Sequence, residues 1–276
     1  MSKPEIDSDG FQKVKCKSKR LSNRPTVVPT TNKQFEKQDV SIDVDKAIQR
    51  IYCAVEDLRL SNYLDSVIKS VSNTLQGRKV VEIVCLGLGH IAECNISKYQ
   101  LALLLCLKEH CNPQKVLVHD PIFYESECKV LNKLELEVIP ENNEGSYVIP
   151  DKGVTVVYLP HCPKQLTNNF LWSNWVPNLQ NCVLICNSFN SLADNQPSRI
   201  LSKTVPYIYK IFPHVSELSL ENTFKFSDIF NDTAIHQFPK DKLDNLDSKF
   251  WIKGDRPTYE NTEEFITSVM VQKLTI

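Results

Sequence analysis

The amino-acid sequence predicts an α/β fold built on a mostly parallel sheet with helices on both faces. Apolar runs of strand length alternate with segments of about ten to fifteen residues at helical spacing, and this alternation calls for right-handed crossovers. The 276 residues suffice for one large hydrophobic core. The longest uninterrupted apolar run, 101–107, is far shorter than the roughly twenty residues that span a bilayer, and the N-terminus has no apolar signal core. We therefore expect a soluble protein that is neither secreted nor membrane-bound.

Residues 1–40 are predicted to form a disordered basic arm in front of one domain over residues 41–276. The arm has no sustained apolar period and carries nine Lys or Arg against five Asp or Glu. Its basic residues cluster in 13–20 (KVKCKSKR), a pattern typical of a nuclear import signal, of a weak nucleic-acid contact or of a solvated tail. Because the rest of the chain is mildly acidic, we expect no specific nucleic-acid partner.

Two amphipathic helices are predicted to open the domain. Apolar residues recur at spacings of four, three, four and three between Val44 and Leu58. A second helix follows, which Ser61 caps and which Gly77 ends by supplying a left-handed residue. We expect the first apolar stripe to cover the core of the domain, and a docking surface for a partner is the alternative.

From residue 79 onward, predicted strands and helices alternate. The strands are short, apolar and rich in β-branched residues, and they lie at 79–86, 116–118, 136–139, 154–159, 182–186 and 206–212. The helices lie at 97–110, 123–134 and 165–176, and a last helix that contains Phe265 and Val269 is expected to pack on the core. Ser97 and Gln100 are predicted to form a capping box at the start of the first of these helices. The predicted architecture is therefore Rossmann-like.

Polar residues follow four of these strands, at the edge where parallel sheets bind ligands. The candidate ligand-binding residues are Gly87, Gly89, His90, Asp120, His161, Asn187 and Ser188. Segment 87–92 (GLGHIA) fits the G-x-G-x-x-A fingerprint of a dinucleotide-binding turn and uses two of only seven glycines. However, the next predicted helix begins as late as Ser97, and Asp120 lies farther from the turn than the usual ribose-binding acid. A ligand site and a turn that needs glycine only for its backbone geometry are both open interpretations.

The sequence contains no recognisable catalytic or metal-binding set. His161 and Cys162 are neighbours at a strand end, where successive side chains point to opposite faces, so they do not readily share one metal or one reaction centre. The ten cysteines lack a C-x-x-C pair, which favours reduced, mostly buried thiols over disulfides. P-loop, H-E-x-x-H, G-x-S-x-G and EF-hand patterns are also missing. We therefore assign no catalytic residue and no metal, and the cofactor stays unknown.

Several short motifs follow one another in a fixed order along the predicted domain. They are a hydrophobic strand ending in G-x-G, an S-x-x-Q-x-A helix, a D-P-x-F segment, a P-H-C turn, an N-W helix end and an N-S-F strand end. Their residues are Gly87, Gly89, Ser97, Gln100, Ala102, Asp120, Pro121, Phe123, Pro160, His161, Cys162, Asn174, Trp175, Asn187, Ser188 and Phe189. This series, with a closing segment at 226–238, resembles the Sensitivity-to-Red-Light-Reduced-like family over about residues 45–252. One departure is Cys186, which stands where the family pattern has a glycine.

The resemblance implies a regulatory role. Members of that family are linked to circadian clock input, to light signalling in plants and, in animals, to regulation of heme biosynthesis and of clock-gene expression, in cytoplasm and nucleus. The family has no established catalytic residues, so the resemblance implies none for this chain. Protein partners of unknown identity are expected. The alternative is a small-molecule-binding enzyme, methyltransferase-like (adenosyl-dependent) or nicotinamide-dependent, that uses the turn at Gly87 and Gly89 together with Asp120.

Overall fold

The computed structural model describes residues 40–259 of the chain. The helices in this part are α1 (Val44–Arg59), α2 (Asn62–Leu75), α3 (Asn95–Cys111), α4 (Glu125–Lys133), α5 (Lys164–Ser173), α6 (Phe189–Asn195), α7 (Ser198–Thr204), α8 (Pro206–Ile211) and α9 (Lys240–Asp244). The strands are β1 (Val80–Leu86), β2 (Lys115–His119), β3 (Glu137–Val138), β4 (Val154–Tyr158), β5 (Cys182–Asn187), β6 (Ser216–Ser219) and β7 (Thr233–Gln237). Residues 1–39 of the predicted N-terminal arm and the predicted helix around Phe265 lie outside the described residues.

The strands form one seven-stranded sheet in the order β3-β2-β1-β4-β5-β7-β6. Strands β1 to β5 pair in parallel, whereas β7 runs antiparallel to both β5 and β6. Strand β6 therefore points the same way as β1 to β5, and β7 alone is reversed. This arrangement confirms the predicted α/β class with a mostly parallel sheet. The strand order reverses next to β1, which is where ligands bind in doubly wound sheets.

Alternating side chains of the strands build a hydrophobic core on each face of the sheet. In β1, Ile83 and Cys85 face the side that α1 to α4 cover, while Val84 and Leu86 face α5, α7 and α8. Every one of these four side chains is buried. The central strands therefore read as continuous apolar runs, because both of their faces are covered.

Helices α1 and α2 confirm the two predicted amphipathic helices. The apolar stripe of α1 is buried, and the helix packs against α3 and α4, so the stripe belongs to the core. Ser61 caps α2, and its Oγ accepts a hydrogen bond from the Leu64 amide at 3.3 Å. The left-handed turn after α2 includes Gln76 as well as Gly77, at φ values of 49° and 77°.

The predicted start of α3 is wrong. The helix begins at Asn95 with Cys94 in extended conformation as its N-cap, so Ser97 lies inside the first turn and is buried. Gln100 is buried too, and its Nε2 donates to the carbonyl of Ile229 at 3.5 Å. Both polar side chains are buried by tertiary packing and do not form the predicted capping box. The sequence pattern alone does not distinguish these two roles.

The predicted strand at 206–212 is also wrong, because this segment forms helix α8. Pro206 occupies the first helical position, which suits its fixed φ, and Tyr207, Ile208 and Ile211 are buried on one face. Aromatic and β-branched residues favour strands, but burial against α5 overrides that preference here. The sheet is instead completed by β6 and β7, which the sequence analysis did not predict. Edge strand β6 is largely exposed and therefore has no apolar signal.

Candidate functional site

The carboxyl ends of β1, β2, β4 and β5 lie at one edge of the sheet, because these strands are parallel. Strand β7 begins at the same edge because it is reversed, and it brings Asn231 and Asp232 there. The seven candidate residues fall into two groups. Gly87, Gly89, His90 and Asp120 follow β1 and β2, whereas His161, Asn187 and Ser188 belong to the ends of β4 and β5.

The turn after β1 is closed by contacts with the protein itself. Gly87 and Gly89 have φ values of 78° and 71°, and a Cβ at Gly87 would overlap the Cys162 sulfur. The amide of Gly89 donates to Asp120 Oδ2 at 2.7 Å, and Asp120 Oδ1 accepts from the Ile122 amide at 3.0 Å. Both oxygens of the Asp120 carboxyl therefore already accept backbone hydrogen bonds. Burial raises the pKa of this carboxyl, and the two amide hydrogen bonds act in the opposite direction.

A second carboxylate, Glu127 of α4, holds the other part of this turn. Its Oε1 accepts from the Ala92 amide at 3.0 Å, its Oε2 lies 3.0 Å from His90 Nδ1, and the side chain is fully buried. The His90 ring stacks on Tyr124 at 4.1 Å between centroids. The sequence analysis missed Glu127, although a Glu in the first turn of a helix often accepts from backbone amides there. Two turn amides, those of Gly89 and Ala92, are thus bound by carboxylates of the chain itself.

The small space beside β1 and β2 leaves little room for a ligand. A cavity of about 20 Å³ lies there, and it is lined by Leu86, His119, Ile139, Glu141, Asn143, Gly145 and Tyr147. That volume is about what one water molecule needs. His119 Nδ1 lies 2.8 Å from the Ile139 carbonyl, and its buried Nε2 has no hydrogen-bond partner within residues 40–259.

The loops after β4 and β5 enclose a larger opening, which we call the β4–β5 cleft. It consists of two adjoining cavities of about 190 and 710 Å³. Both cavities are lined by Cys162, Lys164, Asn187, Leu192 and Gln196. The more enclosed cavity also contacts Ser188 and Asp232, and the more open one contacts His161.

His161, Cys162 and Asn187 each make a hydrogen bond at the β4–β5 cleft. His161 adopts a left-handed φ of 50°, and its Nε2 lies 2.9 Å from the Asn231 carbonyl. The Cys162 thiol donates to the Leu86 carbonyl at 3.1 Å, and burial raises the pKa of this thiol so that it stays protonated. Asn187 Nδ2 donates to the Cys162 carbonyl at 3.4 Å.

Lys164 and Gln196 are two residues of the cleft that the sequence analysis missed, and Asp232 is a third. Lys164 Nζ donates to Gln196 Oε1 at 2.5 Å, and partial burial lowers the pKa of the lysine. Lys164 directly follows the P-H-C-P turn, so its place in the sequence already indicates a cation at this strand end. Gln196 comes from the far end of α6 and had no such signal.

Ser188 is held in the wall of the cleft by a buried carboxylate on β6. Its Oγ donates to Glu217 Oε1 at 2.5 Å, and Glu217 also accepts from the amides of Phe189 and Asn190 and from His236 Nε2 at 3.1 Å. Burial by itself raises the pKa of the Glu217 carboxyl, but these donors outweigh it and lower the pKa to about 2. Ser188 thus links the cleft to the edge of the sheet.

Residues 40–259 contain no group of three or more His, Cys, Asp or Glu side chains that could hold a metal ion. In the same range, no helix combines the length and the apolar character that crossing a bilayer requires.

Comparison with known proteins places the chain in a family. The model of the SRR1 domain matches residues 57–237. An SRR1-like protein of Drosophila melanogaster is 31% identical over 232 residues, which cover 82% of this chain and 80% of the fly protein. An SRR1-like protein of Mus musculus is 32% identical over 209 residues, covering 63% and 84%. Protein SENSITIVITY TO RED LIGHT REDUCED 1 of Arabidopsis thaliana is 26% identical over 112 residues, 40% of each chain. With the SRR1 domain extending from α1 to β7, this chain belongs to the SRR1 domain family.

Proposed function

We propose that this protein is a non-enzymatic regulator in a pathway linked to circadian clock input, acting on heme biosynthesis or on clock-gene expression. Family membership supports a regulatory role, and the name of the Arabidopsis relative, which refers to sensitivity to red light, supports the link to light and the clock. The structural observation that carries the proposal is the closed turn after β1. Asp120 and Glu127 bind the amides of Gly89 and Ala92, so the protein itself occupies positions that a nucleotide phosphate would use.

A gene-deletion experiment tests the regulatory role. In cells that lack the gene, we expect an altered period or amplitude of a luciferase clock reporter, together with a changed heme content. Expression of the wild-type protein restores both. If the rhythm and the heme content of the deleted cells equal those of the parent, the proposed pathway is wrong.

We further propose that the protein divides between cytoplasm and nucleus, and that the basic segment 13–20 directs its import. Clustered cations at this spacing are typical of import signals. Replacing the four lysines of the segment by alanine in a fluorescent fusion is expected to lower the nuclear signal. A matched variant with Lys33 and Lys37 replaced keeps the basic cluster and should distribute like the wild type. An unchanged nuclear signal in the first variant contradicts the assignment.

A second candidate function is that of an adenosyl- or nicotinamide-dependent enzyme. The observation that favours it is the sheet, since β1 to β5 follow the 3-2-1-4-5 order of nucleotide-binding sheets and Asp120 follows β2. A reversed β7 between β5 and β6 is also the arrangement of methyltransferase sheets. This likeness concerns the fold and not the residues of an active site.

A thermal-shift panel separates the two candidates. A ligand that binds only the folded state stabilises it by about 2.7 kcal/mol at a concentration of 100 times Kd. The regulatory proposal predicts no shift with S-adenosylmethionine, NAD or NADP. A shift that disappears in Asp120→Ala and persists in Asp65→Ala, an exposed position on α2, would instead establish a nucleotide site at the β1–β2 edge.

A further inference from the structure

We propose that the β4–β5 cleft binds a small organic anion, a carboxylate or a phosphate ester, that also carries an N–H or O–H donor. This site is separate from the turn after β1, and the inference does not depend on the regulatory role. Two side chains of the same cleft carry the proposal. Lys164 has a positive charge with only a neutral partner, and Asn187 has a buried acceptor without a donor.

Lys164 supplies the positive charge. An ammonium group has three donors, and Gln196 Oε1 accepts from this one at 2.5 Å. Within residues 40–259, no carboxylate forms an ion pair with Lys164. A partly buried cation that has only a neutral amide as its partner favours an anionic ligand.

Asn187 supplies an acceptor that needs a donor. Its Nδ2 donates to the Cys162 carbonyl at 3.4 Å, and this bond orients the side-chain amide. The opposite atom, Oδ1, is buried and has no hydrogen-bond partner in the described part of the chain. Buried acceptors of this kind are costly unless they are satisfied, and a rotation of the side-chain amide toward the cleft would let a ligand N–H or O–H satisfy this one.

The charges along the cleft set the orientation of the ligand. Asp232 is an exposed residue that lines the more enclosed cavity, so negative charge at that end disfavours an anion and favours a donor. The anionic group therefore lies toward Lys164 and Gln196, and the donor group lies toward Asn187 and Asp232. The combined volume suits a small metabolite, and the carboxyl ends of parallel strands are the usual place for one.

The cleft is a binding site and not a thiol-based reaction centre. Cys162 is the buried thiol in its wall, and its hydrogen goes to the Leu86 carbonyl at 3.1 Å. Burial raises the pKa of this thiol, so the thiolate that a nucleophile needs is not formed near neutral pH. We therefore expect reversible binding without a covalent intermediate.

Isothermal titration calorimetry on the full-length protein tests the site. The probes are L-serine and L-glutamate as carboxylates with a donor, glycerol 3-phosphate and O-phospho-L-serine as phosphate esters with a donor, and acetate and inorganic phosphate as anions without the organic donor group. We expect saturable binding of at least one of the first four probes with a Kd of about 1 mM or tighter, and at least tenfold weaker binding of the last two. The two arms also distinguish a carboxylate site from a phosphate site.

Two variants and one control connect the binding to the cleft. Lys164→Met removes the charge, and Gln196→Glu gives the ammonium an internal carboxylate partner, so each should weaken binding at least about tenfold. Lys203→Met, at an exposed position of α7, changes the net charge equally and should bind like the wild type. Melting temperatures near that of the wild type verify that each variant is folded.

Three results would overturn the proposal. These are no binding of any of the four donor-carrying probes at about ten times the expected Kd, equal affinity of Gln196→Glu and the wild type for the probe that binds, or equal affinity for that probe and for its simple anion, which is acetate for a carboxylate and inorganic phosphate for a phosphate ester. None of them bears on the clock and heme phenotypes, so the regulatory proposal stands or falls separately.

Discussion

Single residues decide how tightly the loops of the sheet edge are joined. Gly87 lies directly against the Cys162 sulfur, and both its positive φ and this contact exclude a larger residue. Cys162 in turn donates to Leu86, the last residue of β1. The turn after β1 and the wall of the β4–β5 cleft therefore share one packed contact.

Replacement of Gly87 by alanine tests this contact. We expect Gly87→Ala to lower the free energy of unfolding by roughly 2–4 kcal/mol, because positive-φ strain adds to overpacking. Gly77→Ala is a matched control, since Gly77 has the same kind of φ but nothing within 4 Å of its Cβ position, and it should cost only about 1 kcal/mol. Urea denaturation measures both values. Adding Cys162→Ala to Gly87→Ala should restore part of the loss, and equal costs at the two glycines would contradict the contact.

Glu217 makes stability depend on acid pH. Its hydrogen bonds lower the folded-state pKa to about 2 from an ordinary 4.5, so they stabilise the fold above pH 4.5 and this contribution is lost as the pH falls toward 2. Glu217→Gln should cost on the order of 2 kcal/mol at pH 7 and should flatten the fall in stability between pH 4.5 and 2. Urea denaturation at several pH values measures this effect. Glu221→Gln, at an exposed position, should behave like the wild type, and an unchanged pH slope in Glu217→Gln would refute this role.

Whole elements also constrain the site, since α4 holds the loop that follows β1. The carboxylate of Glu127 connects the first turn of α4 with the amide of Ala92, 35 positions earlier in the chain. This connection keeps segment 87–92 closed although α3 begins only at Asn95. The closed turn thus depends on a helix that the nucleotide fingerprint does not include.

Loss of the Glu127 charge should loosen this loop. In Glu127→Gln, we expect amide hydrogen exchange at Ala92 to accelerate roughly tenfold, because a charge-assisted hydrogen bond is replaced by a neutral one. Glu125→Gln lies in the same turn of α4 but is exposed, and it should leave exchange at Ala92 unchanged. Equal protection of Ala92 in the two variants would show that α4 does not hold the loop. Exchange measured by NMR resolves this amide individually.

At the scale of the whole molecule, Trp175 joins segments that are distant along the chain. Its ring packs on Tyr207 of α8 and on Phe250, and its Nε1 donates to the Phe250 carbonyl at 2.8 Å. The side chain is 1% exposed. The C-terminal part of the described chain is thereby attached to the core that lies on the α5 side of the sheet.

Truncation of Trp175 should therefore affect the global fold. We expect Trp175→Ala to lower the free energy of unfolding by about 3–5 kcal/mol, as large-to-small changes of buried aromatics do. Trp172→Ala removes a half-buried ring near the end of α5, three residues before Trp175, and should cost clearly less. Chemical denaturation monitored by circular dichroism compares the two variants. A similar loss in both would mean that Trp175 has no special part in joining these segments.

The spacing of apolar residues predicted most strands of the sheet and the two helices that precede it, α1 and α2. Strands β1, β2, β4 and β5 are buried on both faces, and for this reason they stand out in the sequence as continuous apolar runs. The same reasoning placed His161 and Asn187 at strand ends, and both line the cleft. The α/β class and the edge that carries the cleft were therefore determined by the sequence alone.

Tertiary structure alone decided the rest, because the interactions concerned join distant positions. Segment 206–212 has strand-like composition but is buried as α8, and β6 lacks apolar periodicity because it lies at the edge. Nor does local spacing show that Glu127 reaches back to the turn after β1, or that Gln196 meets Lys164 from 32 positions away. The sequence by itself predicted this edge of the sheet as the place for a ligand, while the folded chain closes the part after β1 and leaves the part after β4 and β5 open, since only folding brings these charges and amides within hydrogen-bond distance.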